Sequence, residues 1–181
     1  MKRREQARQI ALQALYQLDL RGEDFGPEMV EFLRSSTDDP EVYFFARRLT
    51  EGTWAWRVEA DRLIEQAAEH WRIDRMAPVD RNILRLATFE MCQCPDIPDR
   101  VCIDQAIELA KRFSSAESGS FVNGVLDRVL RTAKGEEAAR ASETATVHET
   151  APAPAVPDGP RSSAGDDDVP AAPASAPADD D

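Results

Sequence analysis

Apolar residues over positions 1–133 recur at helical spacing, and no stretch there alternates apolar with polar residues between turn signals. That pattern predicts an all-α domain. From Arg3 to Leu20, Ala7, Ile10, Ala11, Ala14, Leu15 and Leu18 form one stripe, closed by Arg21 and Gly22. A short helix entered at Pro27 should carry Met29, Val30 and Leu33. In STDDP, Asp39 reads as an N-cap and Pro40 as the first helical residue. The pattern that follows sets Val42, Phe45, Leu49, Trp56, Ala60, Leu63, Ala67 and Trp71 on one face, with Gly52 as the expected bend or break. A helix starting at Pro78 and stopping before Pro95 is apolar on more than one side, which predicts a central position. Two more follow: one from near Pro98 through Ile103, Ala106, Ile107, Ala110 and Phe113, and one from Ser118 through Val122, Val125, Leu126 and Val129. The expectation is a bundle of about six or seven helices.

The formal net charge of −12 is unevenly spread. Residues 1–133 hold 19 Lys and Arg against 23 Asp and Glu, whereas 134–181 hold 3 against 11. The second stretch is rich in Ala, Pro, Ser and Asp and has almost nothing large and apolar to bury. We therefore expect a folded domain over 1–134 and a disordered acidic tail over 135–181. About 130 residues suffice for one core.

Several functions are excluded or disfavoured. The charged N-terminus and the lack of a long apolar run argue for a cytoplasmic protein. Cys92, Cys94 and Cys102 are odd in number and lack a convincing fourth zinc ligand, so they read as ordinary thiols rather than a disulfide or metal site. No phosphate loop, H-E-x-x-H or G-x-S-x-G is present, and paired carboxylates such as Asp38 with Asp39 sit where helix ends explain them. Neither an enzyme nor a cofactor is indicated.

Three features carry the functional reading. The opening MKRREQARQ places Arg4 and Arg8 at i, i+4, on a row that turns apolar at Ala11, Leu12 and Leu15. The first turns of the helix should then project beyond the core and offer guanidinium groups to an anion such as nucleic-acid phosphate; a solvated, frayed terminus is the competing reading. Leu12, Tyr16 and Leu20 form a second row, which is either a second buried side or a surface for a partner. Thirdly, a small-residue loop from Ser114 to Ser120 lies between Lys111, Arg112, Phe113 and Phe121. Such a loop can hold phosphate, and its aromatics can stack on unpaired bases or simply close the helix junction. Gly124 within the last helix suggests the close approach of a neighbouring helix.

The stretches RREQARQIALQALYQLDL, PVDRNILRLATFEM and VCIDQAIELAKRFSSAESGSFVNGVLDRVLR resemble, in order and spacing, the NusB family of bacterial transcription antitermination factors. The resemblance covers residues 3–133. It implies two packed helical subdomains, no enzymatic activity, and binding of boxA-type single-stranded RNA together with NusE, the ribosomal protein S10, within the transcription elongation complex. It further implies RNA contacts at Arg3, Arg4 and Arg8, and at Phe113, Glu117 and Phe121, and a NusE-facing surface at Tyr16 and Asp80. Glu5 and Gln6 interrupt the arginine cluster, and Ser120 stands where the family commonly has a basic residue. RNA affinity of the chain alone should therefore be weak. Two alternatives remain: an RNA-binding module serving a separate rRNA methyltransferase, and a homodimer built on the Leu12, Tyr16, Leu20 row with no RNA role.

Overall fold

The computed structural model describes residues 2–68 and 71–149, the side chains of 23 and 136–149 excepted. Seven α-helices are present among these residues, with no strand: α1 (Lys2–Arg21), α2 (Gly26–Ser35), α3 (Pro40–Ala55), α4 (Arg57–Ala67), α5 (Pro78–Gln93), α6 (Asp99–Phe113) and α7 (Ser118–Glu149). Helix starts follow the local chemistry of the chain. Asp39 caps α3 by accepting the Glu41 amide at 2.9 Å, and prolines open α3 and α5 where a missing N–H costs nothing.

Helices α1, α2 and α3 pack on one another, and α4, α6 and α7 form a second group. The middle helix, α5, lies against α1, α3, α4, α6 and α7. Its Ile83, Leu84, Leu86, Ala87 and Phe89 are all buried, as expected of a central helix. The third helix can approach α5 because Gly52 has no side chain: a Cβ there would overlap the Phe89 ring. This contact, and not a bend, is the use of Gly52. The expected break in the long pattern falls at Trp56, four residues beyond Gly52, so 40–67 makes two helices.

Other expectations are corrected. Trp71 lies beyond the end of α4 and 57 % of its surface is exposed, so it is no part of the core stripe. Gly124 meets nothing within 4 Å of an added Cβ, so no helix approaches it closely. Cys94 and Cys102 are buried thiols, and burial pushes Cys102 up to about 12. Helix α7 runs past the composition change at 134 to Glu149, and the rest of the expected tail, 150–181, lies outside the described residues. Among the described residues no helix is long and apolar enough to cross a membrane.

Candidate RNA and partner surface

The arginines of α1 meet three different fates. Arg3 is exposed but bound to the start of α3, with Nε 2.9 Å from Asp39 Oδ2 and Nη1 donating to Glu41 Oε2 at 2.6 Å. Arg4 is exposed and lies over the Phe45 ring, its guanidinium carbon 4.0 Å from the centroid. Arg8 is only 4 % exposed. Its Nε donates to both carboxylate oxygens of Glu90 at 3.0 Å, and its Nη2 stands 2.8 Å from Glu90 Oε1. The expectation that Arg8 is displayed to RNA is corrected for that reason. The row from arginine to apolar enters the core one turn earlier than its residue types suggest, because α5 supplies a buried counter-charge.

Burial pushes the Glu90 carboxyl above its usual range, against the opposing pull of Arg8. This pair ties the first turns of α1 to the end of α5. At the other end of α1, Asp19 receives Arg85 Nη1 at 2.7 Å and Arg81 Nη2 at 2.5 Å, and Asn82 Nδ2 donates to it at 3.0 Å. Arg85 also donates to both oxygens of Asp61 on α4, at 2.6 and 2.7 Å. Arg81 Nη1 reaches back to the Ile73 carbonyl at 3.2 Å, in the turn that follows Trp71. Asp19 is pushed up by burial, yet the two guanidinium groups outweigh this and hold it below the usual carboxylate range.

The remaining candidates divide between two clefts on either side of the first turn of α5. One is a shallow groove lined by Leu12, Gln13, Tyr16, Gln17, Val79 and Phe113. Leu12 is buried, Tyr16 half-buried and Leu20 57 % exposed, so the second row of α1 emerges gradually from the core. Phe113 carries the Arg112 guanidinium 5.4 Å from its ring centroid.

The other cleft is a pocket of about 280 Å³ lined by residues that include Trp71, Met76, Asp80, Glu117, Ser118 and Phe121. Trp71 and Phe121 have ring centroids 5.7 Å apart, with planes at 59°. Asp80 is 9 % exposed. Ser118 Oγ donates to its Oδ2 at 3.0 Å, while Oδ1 has no hydrogen-bond partner. Glu117 stands exposed at the rim and Phe121 is half-buried.

The structure therefore groups the candidates differently from the sequence. Asp80 is brought together with Glu117 and Phe121, and Phe113 with Tyr16, whereas Tyr16 and Asp80 do not share a cleft. Two contributions were missed in sequence. Trp71 continues a helical stripe and looked like core; its only distinguishing signal is that the stripe ends beside a loop. Asp19, Arg81 and Arg85 lie far apart in sequence, and no local pattern links them.

Comparison with known proteins agrees with this architecture. The family model described as the NusB family matches residues 5–131. The chain is 46 % identical over 140 residues to the transcription antitermination protein NusB of Symbiobacterium thermophilum, covering 73 % of this chain and 92 % of that protein. It is 46 % identical over 134 residues to the same-named protein of Myxococcus xanthus, covering 71 % and 95 %. Among solved structures, T. maritima NusB superposes with a TM-score of 0.64 at 38 % identity, over 71 % of this chain and 90 % of that one. A chain from a complex of antitermination factors NusB and NusE with double-stranded RNA superposes with a TM-score of 0.66 at 30 % identity, over 73 % and 98 %. On a family match that spans most of the helical domain, the chain belongs to the NusB family.

Proposed function

We propose that this chain is a cytoplasmic transcription antitermination factor that binds boxA-type single-stranded RNA of nascent ribosomal RNA transcripts together with NusE, ribosomal protein S10, and promotes processive elongation by RNA polymerase. Its relatives are named as transcription antitermination proteins, and one similar structure is a complex with NusE and RNA. The observation that carries the RNA reading is the Trp71–Phe121 pair beside the serine-rich α6–α7 junction, with Arg112 on the neighbouring turn. Exposed aromatic faces next to positive charge suit unpaired bases on a phosphate chain. Arg4, Phe113, Glu117 and Phe121 are the RNA contacts of this proposal; Arg3 joins them if phosphate displaces Asp39 and Glu41. Tyr16 faces NusE from its groove.

The test is binding of a boxA RNA by the full chain with and without S10. Weak binding alone that tightens with S10 is the expected result, and no RNA binding in either case would defeat the proposal. Within it, Tyr16→Asp should cost about 1 kcal/mol or less of stability as a part-exposed change, yet lower S10 affinity by about thirtyfold or more. A melt beside an S10 titration checks both; a mutant that unfolds would place Tyr16 in the core instead.

A further inference from the structure

The start of α1 is built against its own electrostatics, and three separate contacts hold it. Lys2, Arg3 and Arg4 stand in the first turn, where the helix dipole disfavours positive charge. Such an end would fray if left alone. Arg3 is tied to the start of α3 through Asp39 Oδ2 and Glu41, while Asp39 Oδ1 caps α3 itself. Arg8 lies one turn on, held by both carboxylate oxygens of Glu90 in the core, and its Nη1 donates to the Arg4 carbonyl at 3.4 Å. Phe45, a buried ring on α3, carries the Arg4 guanidinium carbon 4.0 Å and the Arg8 guanidinium carbon 5.5 Å from its centroid.

Two of these contacts do more than folding requires. A buried ion pair is a poor source of stability, because removing two charges from water can cost more than their attraction returns, and a well-packed apolar pair serves as well. What Arg8 with Glu90 does supply is direction: a guanidinium bonded to both oxygens of one carboxylate fixes where the helix carrying it must lie. The contact of Arg4 with Phe45 uses the face of the guanidinium and leaves its in-plane N–H donors untaken among the described residues. Arg3, by contrast, has donors engaged by Asp39 and Glu41.

We propose that Phe45 and Glu90 are positioning residues for RNA binding: with Arg8 between them they hold the first turns of α1 helical in the free protein and set exposed Arg4 on the Phe45 ring, so that phosphate meets an arginine already in place. This rests on the RNA reading above and adds to it what aims that one arginine. Ordering the side chain beforehand removes part of the entropy that an unrestrained arginine would lose on meeting phosphate. Phe45 and Glu90 are 8 % and 1 % exposed, so they act through Arg4 and not by touching RNA.

The experiment titrates a boxA RNA into the full chain with S10 present, at several salt concentrations, for the parent, Phe45→Leu, Arg4→Ala and the double variant. Leucine keeps an apolar side chain in the core, so Phe45→Leu should stay folded while losing the ring face. It should weaken RNA binding about threefold and move the salt slope toward that of Arg4→Ala, about 0.7 below the parent's. The double variant should bind no more weakly than Arg4→Ala alone, whereas a merely structural Phe45 would give losses that add. Hydrogen exchange supplies a readout that needs no RNA. The amides of residues 6–9, which bond to carbonyls of the first turn, should exchange slowly in the free parent and faster in Glu90→Gln, which keeps the shape of the side chain and removes its charge. The parent measurement stands even if Glu90→Gln fails to fold. Additive losses, or an unchanged affinity and slope in Phe45→Leu, would overturn the positioning role and leave the RNA reading intact. Fast exchange at residues 6–9 of the free parent would overturn the preordered helix start, and an Arg4→Ala variant that binds as the parent does would overturn Arg4 as the contact. No RNA binding by the parent with S10 present would defeat the RNA reading and this proposal with it.

Discussion

Arg4 and Arg8 are the same residue type one turn apart, and the structure gives them opposite work. Arg8 neutralises a carboxylate that burial would otherwise strand, so Arg8→Ala should cost about 3–5 kcal/mol, the penalty of leaving Glu90 buried without its partner. Arg4→Ala removes an exposed group that rests on Phe45 and should cost well under about 1 kcal/mol. If Arg4 contacts phosphate, the same change should lower the salt dependence of RNA binding by about 0.7 in slope. Thermal melts and salt titrations of the two mutants side by side check both expectations; equal stabilities would refute the burial argument. Asp19 adds a pH dependence. Its folded-state pKa lies below its unfolded value, so its stabilisation is present above the unfolded value of about 3.8 and is lost as pH falls through the folded one. Asp19→Asn should accordingly be destabilised at pH 7, and the gap from the parent should close in acid. A gap independent of pH would show that the carboxylate charge is not what stabilises.

Helices α3 and α7 each contain a glycine, and their surroundings assign the two opposite signs. Gly52→Ala drives a methyl group into Phe89 on α5 and should destabilise by about 1–3 kcal/mol, because a buried ring in a packed interface has little room to move. Gly124→Ala meets open space in a helical backbone and should stabilise by about 0.5–1 kcal/mol through helix propensity and a less free unfolded chain. Denaturant midpoints of the two variants decide this directly, and a destabilised Gly124→Ala would point to a neighbour that the helix meets only in a complex. The clamp of Asp19, Asp61, Arg81 and Arg85 has a wider role. It fixes the end of α1 and the middle of α4 to α5 and, through the Ile73 carbonyl, steadies the turn that follows Trp71.

The molecule as a whole carries its charges in separate places. A net of −8 over residues 134–181 lies on the far side of the sequence from the arginines of α1. We propose that the acidic residues beyond Lys134, the first of which continue α7 to Glu149, compete with RNA for the basic positions. Truncation after Lys134 should leave the melting temperature almost unchanged, since Lys134 keeps its exposed pairing with Asp99 and such pairs contribute little. RNA affinity should rise modestly at low salt and the difference should vanish as screening increases. A large fall in melting temperature, or a salt-independent gain in affinity, would refute this account.

The helical class, the helix starts at Pro40 and Pro78, and the family pattern were all legible in the chain, because periodicity, caps and prolines act within a few residues of themselves. The candidate site was legible only in part. Phe121 and Glu117 could be named from their motif, but nothing local says that Trp71 leaves the core stripe, that Arg8 finds Glu90 82 positions away, or that Asp80 joins Phe121 and not Tyr16. Helical spacing states which residues share a face. Whether that face meets water, a buried counter-charge or another helix depends on which surfaces the packing of α5 brings together, and those contacts are made by residues distant along the chain.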